Sequence, residues 1–268
     1  MNNLVDSYTD VAINNIVRNI INIHSKNKLD IRDVILNFVN IRPVKTILDL
    51  GCGTGFFTKA LKGKVHSNAQ LTGIDYCNNN KNDYLNRCQT AGFKGEFINS
   101  NLPSLNEIDN KIFDLILCSY ALYFFPEIIP QISKLLKNDG LFIAITHANQ
   151  YPNELTLLVK KTLKEKNITT DQNLPYEELI NNFSDKNGYQ LLSPWFNNIE
   201  IIDYKNSLVF HKNDFSDFIK YFKHKAPFFI KNNKGLNNSI ISCLEKEIKT
   251  MKSFEINKND VIFICSNT

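Results

Sequence analysis

Three glycines crowd into the segment Asp49-Leu50-Gly51-Cys52-Gly53-Thr54-Gly55. Glycine tolerates positive φ and, having no Cβ, lets a ligand come close to the backbone. A short apolar run, residues 44–50, leads into the loop. The loop is therefore expected to join a strand to a helix whose first N–H groups face a polar ligand. Two ligand classes use such a turn. A dinucleotide fold asks for G-x-G-x-x-G, which would put the third glycine where this chain has Phe56. Here the third glycine arrives one residue earlier, as G-x-G-x-G, with the acidic Asp49 just ahead of it. A second apolar run, 71–75, ends in Gly73-Ile74-Asp75. A carboxylate about 20 residues beyond a glycine loop can accept hydrogen bonds from both hydroxyls of a ribose.

Other chemistry lies farther along. After the run 113–119 the chain reads Cys118-Ser119-Tyr120-Ala121-Leu122-Tyr123-Phe124-Phe125, and His147 closes the run 140–148. Histidine titrates near neutral pH, so His147 is the best single candidate for a base; the alternative is that it only bonds backbone at a strand end. Tyr120 and Tyr123 could orient an acceptor or could be packing. The five histidines, His24, His66, His147, His211 and His224, lack close metal-ligand spacing, so no metal is expected.

These residues need elements to hold them. Residues 1–40 read as helical, with Ile13, Ile16, Val17, Ile20 and Ile21, and again Val34, Ile35 and Phe38, at helical spacing up to Pro43. From 44 onward short apolar runs at 44–50, 71–75, 95–100, 113–119 and 140–148 alternate with helical stretches such as 78–91 and 127–137, the latter stopping at Asn138-Asp139-Gly140. That alternation predicts right-handed crossovers and a mainly parallel sheet with helices on both faces. Residues 149–195 read as helical, 199–210 and 261–266 as two longer strands at the far edge of the same sheet, one of them antiparallel, with helices at 214–223 and 237–251 between. The expected fold is a Rossmann-like, seven-stranded α/β sheet. Residues 1–43 form a helical lid segment and 44–268 a core, with helical cap inserts at about 149–195 and 211–255.

Bulk properties narrow the class. The chain has 268 residues and a net charge of +4 from 31 basic and 27 acidic side chains, spread rather than clustered, which speaks against a nucleic-acid partner. Six cysteines, none in a C-x-x-C pair, read as reduced thiols in a cytoplasmic protein. The N-terminus lacks a signal-peptide pattern, and the apolar run 115–125 is too short to span a bilayer, so no membrane is expected. The oligomeric state is left open.

The stretch Ile47-Leu48-Asp49-Leu50-Gly51-Cys52-Gly53-Thr54-Gly55-Phe56-Phe57 resembles motif I of the class I S-adenosylmethionine-dependent methyltransferases. The resemblance extends through Asp75, Phe113-Asp114-Leu115-Ile116 and Leu136-Lys137-Asn138-Asp139-Gly140-Leu141. It implies S-adenosylmethionine as cofactor, with Asp75 on the ribose and Asp49, Gly51, Cys52, Gly53, Gly55 and Cys118 around the site. The family usually has an acid after the third strand to hold the adenine amine. Here the segment is Asn99-Ser100-Asn101-Leu102-Pro103, where a neutral oxygen must serve; Asn99, Ser100 and Asn101 are candidates, and Tyr76 and Leu102 could wall the ring. Asp6-Ser7-Tyr8-Thr9-Asp10 resembles the N-terminal tyrosine element of small-molecule methyltransferases, with Tyr8 over the cofactor. The segment after the fourth strand lacks the Asn/Asp-Pro-Pro-aromatic motif of amino-methyltransferases acting on DNA bases or glutamine.

The leading expectation is methyl transfer to an oxygen or nitrogen of a small organic acceptor, with His147, Tyr120 and Tyr123 as catalytic candidates. The aromatics Trp195, Phe215, Phe218, Tyr221, Phe222, Phe228 and Phe229 then either line a lidded pocket or form the core of the inserted helices. Two alternatives keep the cofactor: attack on another carbon of the sulfonium, as in cyclisation of its aminocarboxypropyl arm, or a non-catalytic cofactor-binding partner.

Overall fold

A computed structural model describes residues 10–100, 105, 108, 112–149, 151–167, 174–230 and 234–268. In chain order the elements open with α1 (Val11–His24), α2 (Ile31–Phe38), β1 (Thr46–Leu50), β2 (Gln70–Asp75), α3 (Lys81–Ala91) and β3 (Lys94–Asn99). Next come β4 (Phe113–Ser119), α4 (Ile129–Leu135), β5 (Leu136–His147), α5 (Asn153–Glu165), α6 (Pro175–Asn182) and α7 (Gly188–Leu192). The chain finishes with β6 (Asn198–Tyr204), β7 (Ser207–His211), α8 (Phe215–Phe229), α9 (Lys234–Thr250), β8 (Ser253–Asn257) and β9 (Asp260–Ser266).

These elements belong to two compact units. One comprises Leu29–His147, Asn182–Tyr204 and Asp260–Thr268, and contains a seven-stranded sheet of order β3-β2-β1-β4-β5-β9-β6. Strands β1 to β5 pair in parallel, whereas β9 runs antiparallel to both β5 and β6 and is the single reversed member. The expected seven-stranded, mainly parallel Rossmann-like sheet is therefore present. The central strands β1, β4 and β9 and the second half of β5 are covered on both faces, as parallel sheets require, whereas the edge strands β3 and β6 carry exposed residues. On one face Ile47, Leu115, Leu117, Ile143, Ile145, Ile262 and Ile264 pack with Ile35 and Leu36 of α2 and Tyr84 and Cys88 of α3. On the other face Phe142 stacks on Phe196 at 5.6 Å between ring centres, and Phe183 meets Phe263 at 5.4 Å. Asp30 starts α2 by accepting the Arg32 N–H at 2.8 Å, a side-chain N-cap.

The second unit comprises Met1–Lys28, Ala148–Asn181 and Lys205–Asn259. Here β7 and β8 pair antiparallel, and the aromatics of α8 form a core: Phe218, Tyr221, Phe222, Phe228 and Phe229 are all buried. For those five rings the packing reading of the sequence holds. Phe215 is half-buried, and Trp195, 43% exposed, sits in the sheet-bearing unit.

Three local expectations are corrected. The run 199–210 is two strands, because β6 stays in the large sheet while β7 pairs with β8 in the small one. The break falls at Lys205-Asn206. Asn206 there donates its N–H to Asn259 Oδ1 at 2.9 Å, and its Oδ1 accepts from Ser207 N at 2.8 Å, so the backbone is satisfied without a ladder. The segment 127–137 does not end in a turn at Asn138-Asp139-Gly140: β5 already starts at Leu136, paired with Phe113, and the register jumps before Leu115 meets Leu141. The jump absorbs the extra polar residues as a bulge. Finally, the glycine loop does not open a regular helix. Residues 53–64 form successive turns: Leu61 N bonds Phe57 O, but Lys62 N bonds Lys59 O and Lys64 N bonds Leu61 O. Gly55 and Gly63, at φ of 87° and 73°, put left-handed backbone at both ends of this stretch, outside the helical region.

Candidate active site

The glycine loop owes its shape to residues that need left-handed backbone. Gly51, Gly53 and Gly55 have φ of 65°, 50° and 87°. A Cβ on Gly55 would sit 2.5 Å from Thr58 Oγ1, whereas a Cβ on Gly53 would meet nothing within 4 Å. The loop is packed on one side and open beside Gly53. Arg32 braces it from α2, donating to the Phe56 carbonyl at 2.9 Å with its guanidinium 5.0 Å from the Phe56 ring centre.

Asp75, at the end of β2, points into this loop. Its Oδ2 accepts the Gly53 N–H at 2.8 Å; its Oδ1 accepts Cys77 N at 2.8 Å and Asn80 Nδ2 at 3.1 Å. Burial raises its pKa, opposed by the three hydrogen bonds. Asp49 lies beside it, 5% exposed, and its carboxyl is pushed up to about 8 by burial and by the Asp75 charge. Cys52 is buried next to the loop, its N–H donating to Ile74 O at 3.1 Å, and its thiol is pushed up by burial. Cys118 pairs with Leu50 across β4 and β1 and is fully buried, with its thiol pushed far up for the same reason. Asn99 Nδ2 donates to the carbonyls of Asp75 and Tyr76 at 3.0 and 2.7 Å, and Ser100 N donates to Asp75 O at 3.2 Å, so the end of β3 is tied to the end of β2. Tyr76 is 46% exposed. Tyr8, Asn101 and Leu102 lie outside the described residues.

This donor set fits S-adenosylmethionine. A ribose diol donates to carboxylates, close approach to the backbone needs the open side of Gly53, and a desolvated acid such as Asp49 favours a cationic group.

The other named residues also converge. Tyr120 and His147 stand at the carboxyl ends of neighbouring strands, with ring centres 4.8 Å apart, and Tyr123 stacks on His147 at 6.4 Å. Sequence reasoning missed the residue that joins them. Asp260, 2% exposed, accepts from His147 Nδ1 at 2.7 Å through Oδ1 and from the Tyr120 hydroxyl at 2.9 Å through Oδ2. It is the direct cross-strand partner of His147 in the β5–β9 register. The only signal for it was its place at the head of the last strand, 113 residues away. Burial and the Asp260 charge drive the Tyr120 phenol well above its usual range. Tyr120 also has φ of 55°, a left-handed conformation that side chains avoid. Its N–H is held by Ile145 O at 2.8 Å.

A family model described as a methyltransferase domain matches residues 41–221. None of the curated proteins matches the chain in sequence. Among solved structures, the YcgJ protein of Bacillus subtilis is 16% identical with a TM-score of 0.57, covering 88% of this chain and 98% of that one. A methyltransferase of Thiobacillus denitrificans, solved with S-adenosylhomocysteine, is 13% identical with a TM-score of 0.51, covering 96% and 98%. The [4+2]-cyclase SpnF is 15% identical with a TM-score of 0.53, covering 88% and 80%. With the matched domain spanning more than half its length, the chain belongs to the class I S-adenosylmethionine-dependent methyltransferases, and S-adenosylmethionine is its cofactor.

Proposed function

We propose that this protein transfers a methyl group to an oxygen or nitrogen of a small organic acceptor, with His147 as general base. The carrying observation is the Asp260–His147 contact at 2.7 Å. When bound, S-adenosylmethionine supplies an activated methyl carbon, so the work left to the protein is alignment and removal of the acceptor's proton. An ionised Asp260 only accepts, so His147 Nδ1 carries the hydrogen and Nε2 is the acceptor of the neutral ring. Asp260 holds that tautomer and steadies the imidazolium once the acceptor's proton reaches Nε2. Tyr120 fills the second carboxylate oxygen, and Tyr123 packs on the imidazole. The dispersed charge of the chain favours a small acceptor over nucleic acid.

The test is product analysis. The protein, S-adenosylmethionine and a panel of small phenols, hydroxy acids, carboxylates and amines are incubated together. Release of S-adenosylhomocysteine that depends on one acceptor supports the reading, and His147→Gln should then cut turnover by about 10²–10⁴-fold with S-adenosylhomocysteine affinity retained. Release of methylthioadenosine would replace it with chemistry at another sulfonium carbon. Tight binding without product under any acceptor would favour a non-catalytic role.

A further inference from the structure

The run Asn78-Asn79-Asn80 follows the Asp75 turn, and its last member is poorly served. Asn80 is 4% exposed. Its Nδ2 donates to Asp75 Oδ1 at 3.1 Å, which fixes the amide's orientation because a carboxylate cannot donate. Its Oδ1 is then a buried acceptor with no hydrogen-bond partner. Such an atom is costly to leave unmade.

Asp75 is crowded. A carboxylate offers about four lone-pair sites. Gly53 N, Cys77 N and Asn80 Nδ2 occupy three of them. A ribose diol brings two hydroxyl donors, so Asp75 alone is one acceptor short unless a protein bond breaks. The missing acceptor is on the neighbouring side chain. We propose that Asn80 is the second ribose anchor: Asp75 accepts one hydroxyl of the cofactor's ribose and Asn80 Oδ1 accepts the other, while Nδ2 keeps its bond to Asp75. The inference rests on Asp75 being the ribose carboxylate.

Binding of S-adenosylhomocysteine and of its 2′-deoxy and 3′-deoxy analogues is measured by calorimetry on wild type, Asp75→Ala and Asn80→Leu. Wild type should lose about tenfold in affinity for each missing hydroxyl, the scale of one buried hydrogen bond. Asn80→Leu should lose about tenfold for the intact ligand and then be indifferent to the removal of one particular hydroxyl. Asp75→Ala should remain sensitive to that same hydroxyl and be indifferent to the other; this arm needs no Asn80 variant and stands even where Asn80→Leu does not fold. Asn80→Leu binding like wild type, or remaining sensitive to both hydroxyls, overturns the Asn80 assignment alone. Asp75→Ala binding all three ligands like wild type overturns the Asp75 reading as well. Asp75→Ala weakened but indifferent to both hydroxyls leaves Asp75 as sole anchor and overturns Asn80.

Discussion

Asp49 is a buried acid beside the glycine loop. Its carboxyl sits at about 8 in the folded chain, against an ordinary value of 3.8. Between those values the folded state holds a proton that the unfolded chain has released, so stability falls as pH rises through the window from about 4 to about 8. Asp49→Asn should flatten that decline in urea melts of the cofactor-free protein; an unchanged pH slope would refute it. A cationic ligand group restores the charged carboxylate. Binding of S-adenosylhomocysteine at pH 7 should therefore release a proton, read as different calorimetric heats in two buffers of unlike ionisation enthalpy. Identical heats would count against Asp49 as the acid that faces the ligand. At the second cluster, Asp260→Ala removes the acceptor that selects the His147 tautomer. Nitrogen-15 NMR of His147 should then lose its preference for the Nδ1–H form. Retention of that form would show that Asp260 does not position the ring.

At the scale of elements, β2 carries a glycine because two neighbours leave no room. A Cβ on Gly73 would lie 2.5 Å from Tyr84 Cζ of α3 and 2.7 Å from Cys52 Sγ of the loop. Gly73→Ala should cost about 1–3 kcal/mol by overpacking, measured as a lower urea midpoint at constant m-value. The same shift bears on the loop through Cys52, so a fall in S-adenosylhomocysteine affinity is expected alongside. In α8, burial, followed by the Lys225 charge, lowers His224 to about 4, with Asp10 opposing. The unfolded chain then binds the proton first as pH falls, and stability is lost from about 6.5 down to about 4. His224→Gln should remove that part of the acid sensitivity. The elements themselves were readable where periodicity was clean: β1, β2, β4 and the part of β5 from Gly140 onward coincide with apolar runs between turns. The break at Lys205-Asn206 was not, because both halves of 199–210 have strand character and only their partners, β9 and β8, tell them apart.

For the molecule as a whole, a ligand that binds only the folded chain stabilises it by mass action. S-adenosylhomocysteine at about 100 times its Kd should add about 2.7 kcal/mol, seen as a rise in Tm, and Asp75→Ala should shrink the rise at the same concentration. An equal rise in both proteins would move the ribose away from Asp75. The sequence alone determined the cofactor and the fold class. G-x-G-x-G after an apolar run, an acid at the end of the next strand, and strand–helix alternation are short-range patterns that survive without tertiary knowledge. It also supplied Tyr120, Tyr123 and His147 as candidates, since all lie at or just past strand ends. Only the tertiary structure decided what holds them. Asp260 faces His147 because β9 runs antiparallel beside β5 in one register, a pairing across 113 residues that no local period encodes. The same holds for the crowding of Asp75, where three donors converge from a loop, a turn and the residue before α3. Hydrogen-bond saturation is a property of atoms brought together in space, and the residue types in a motif do not record it.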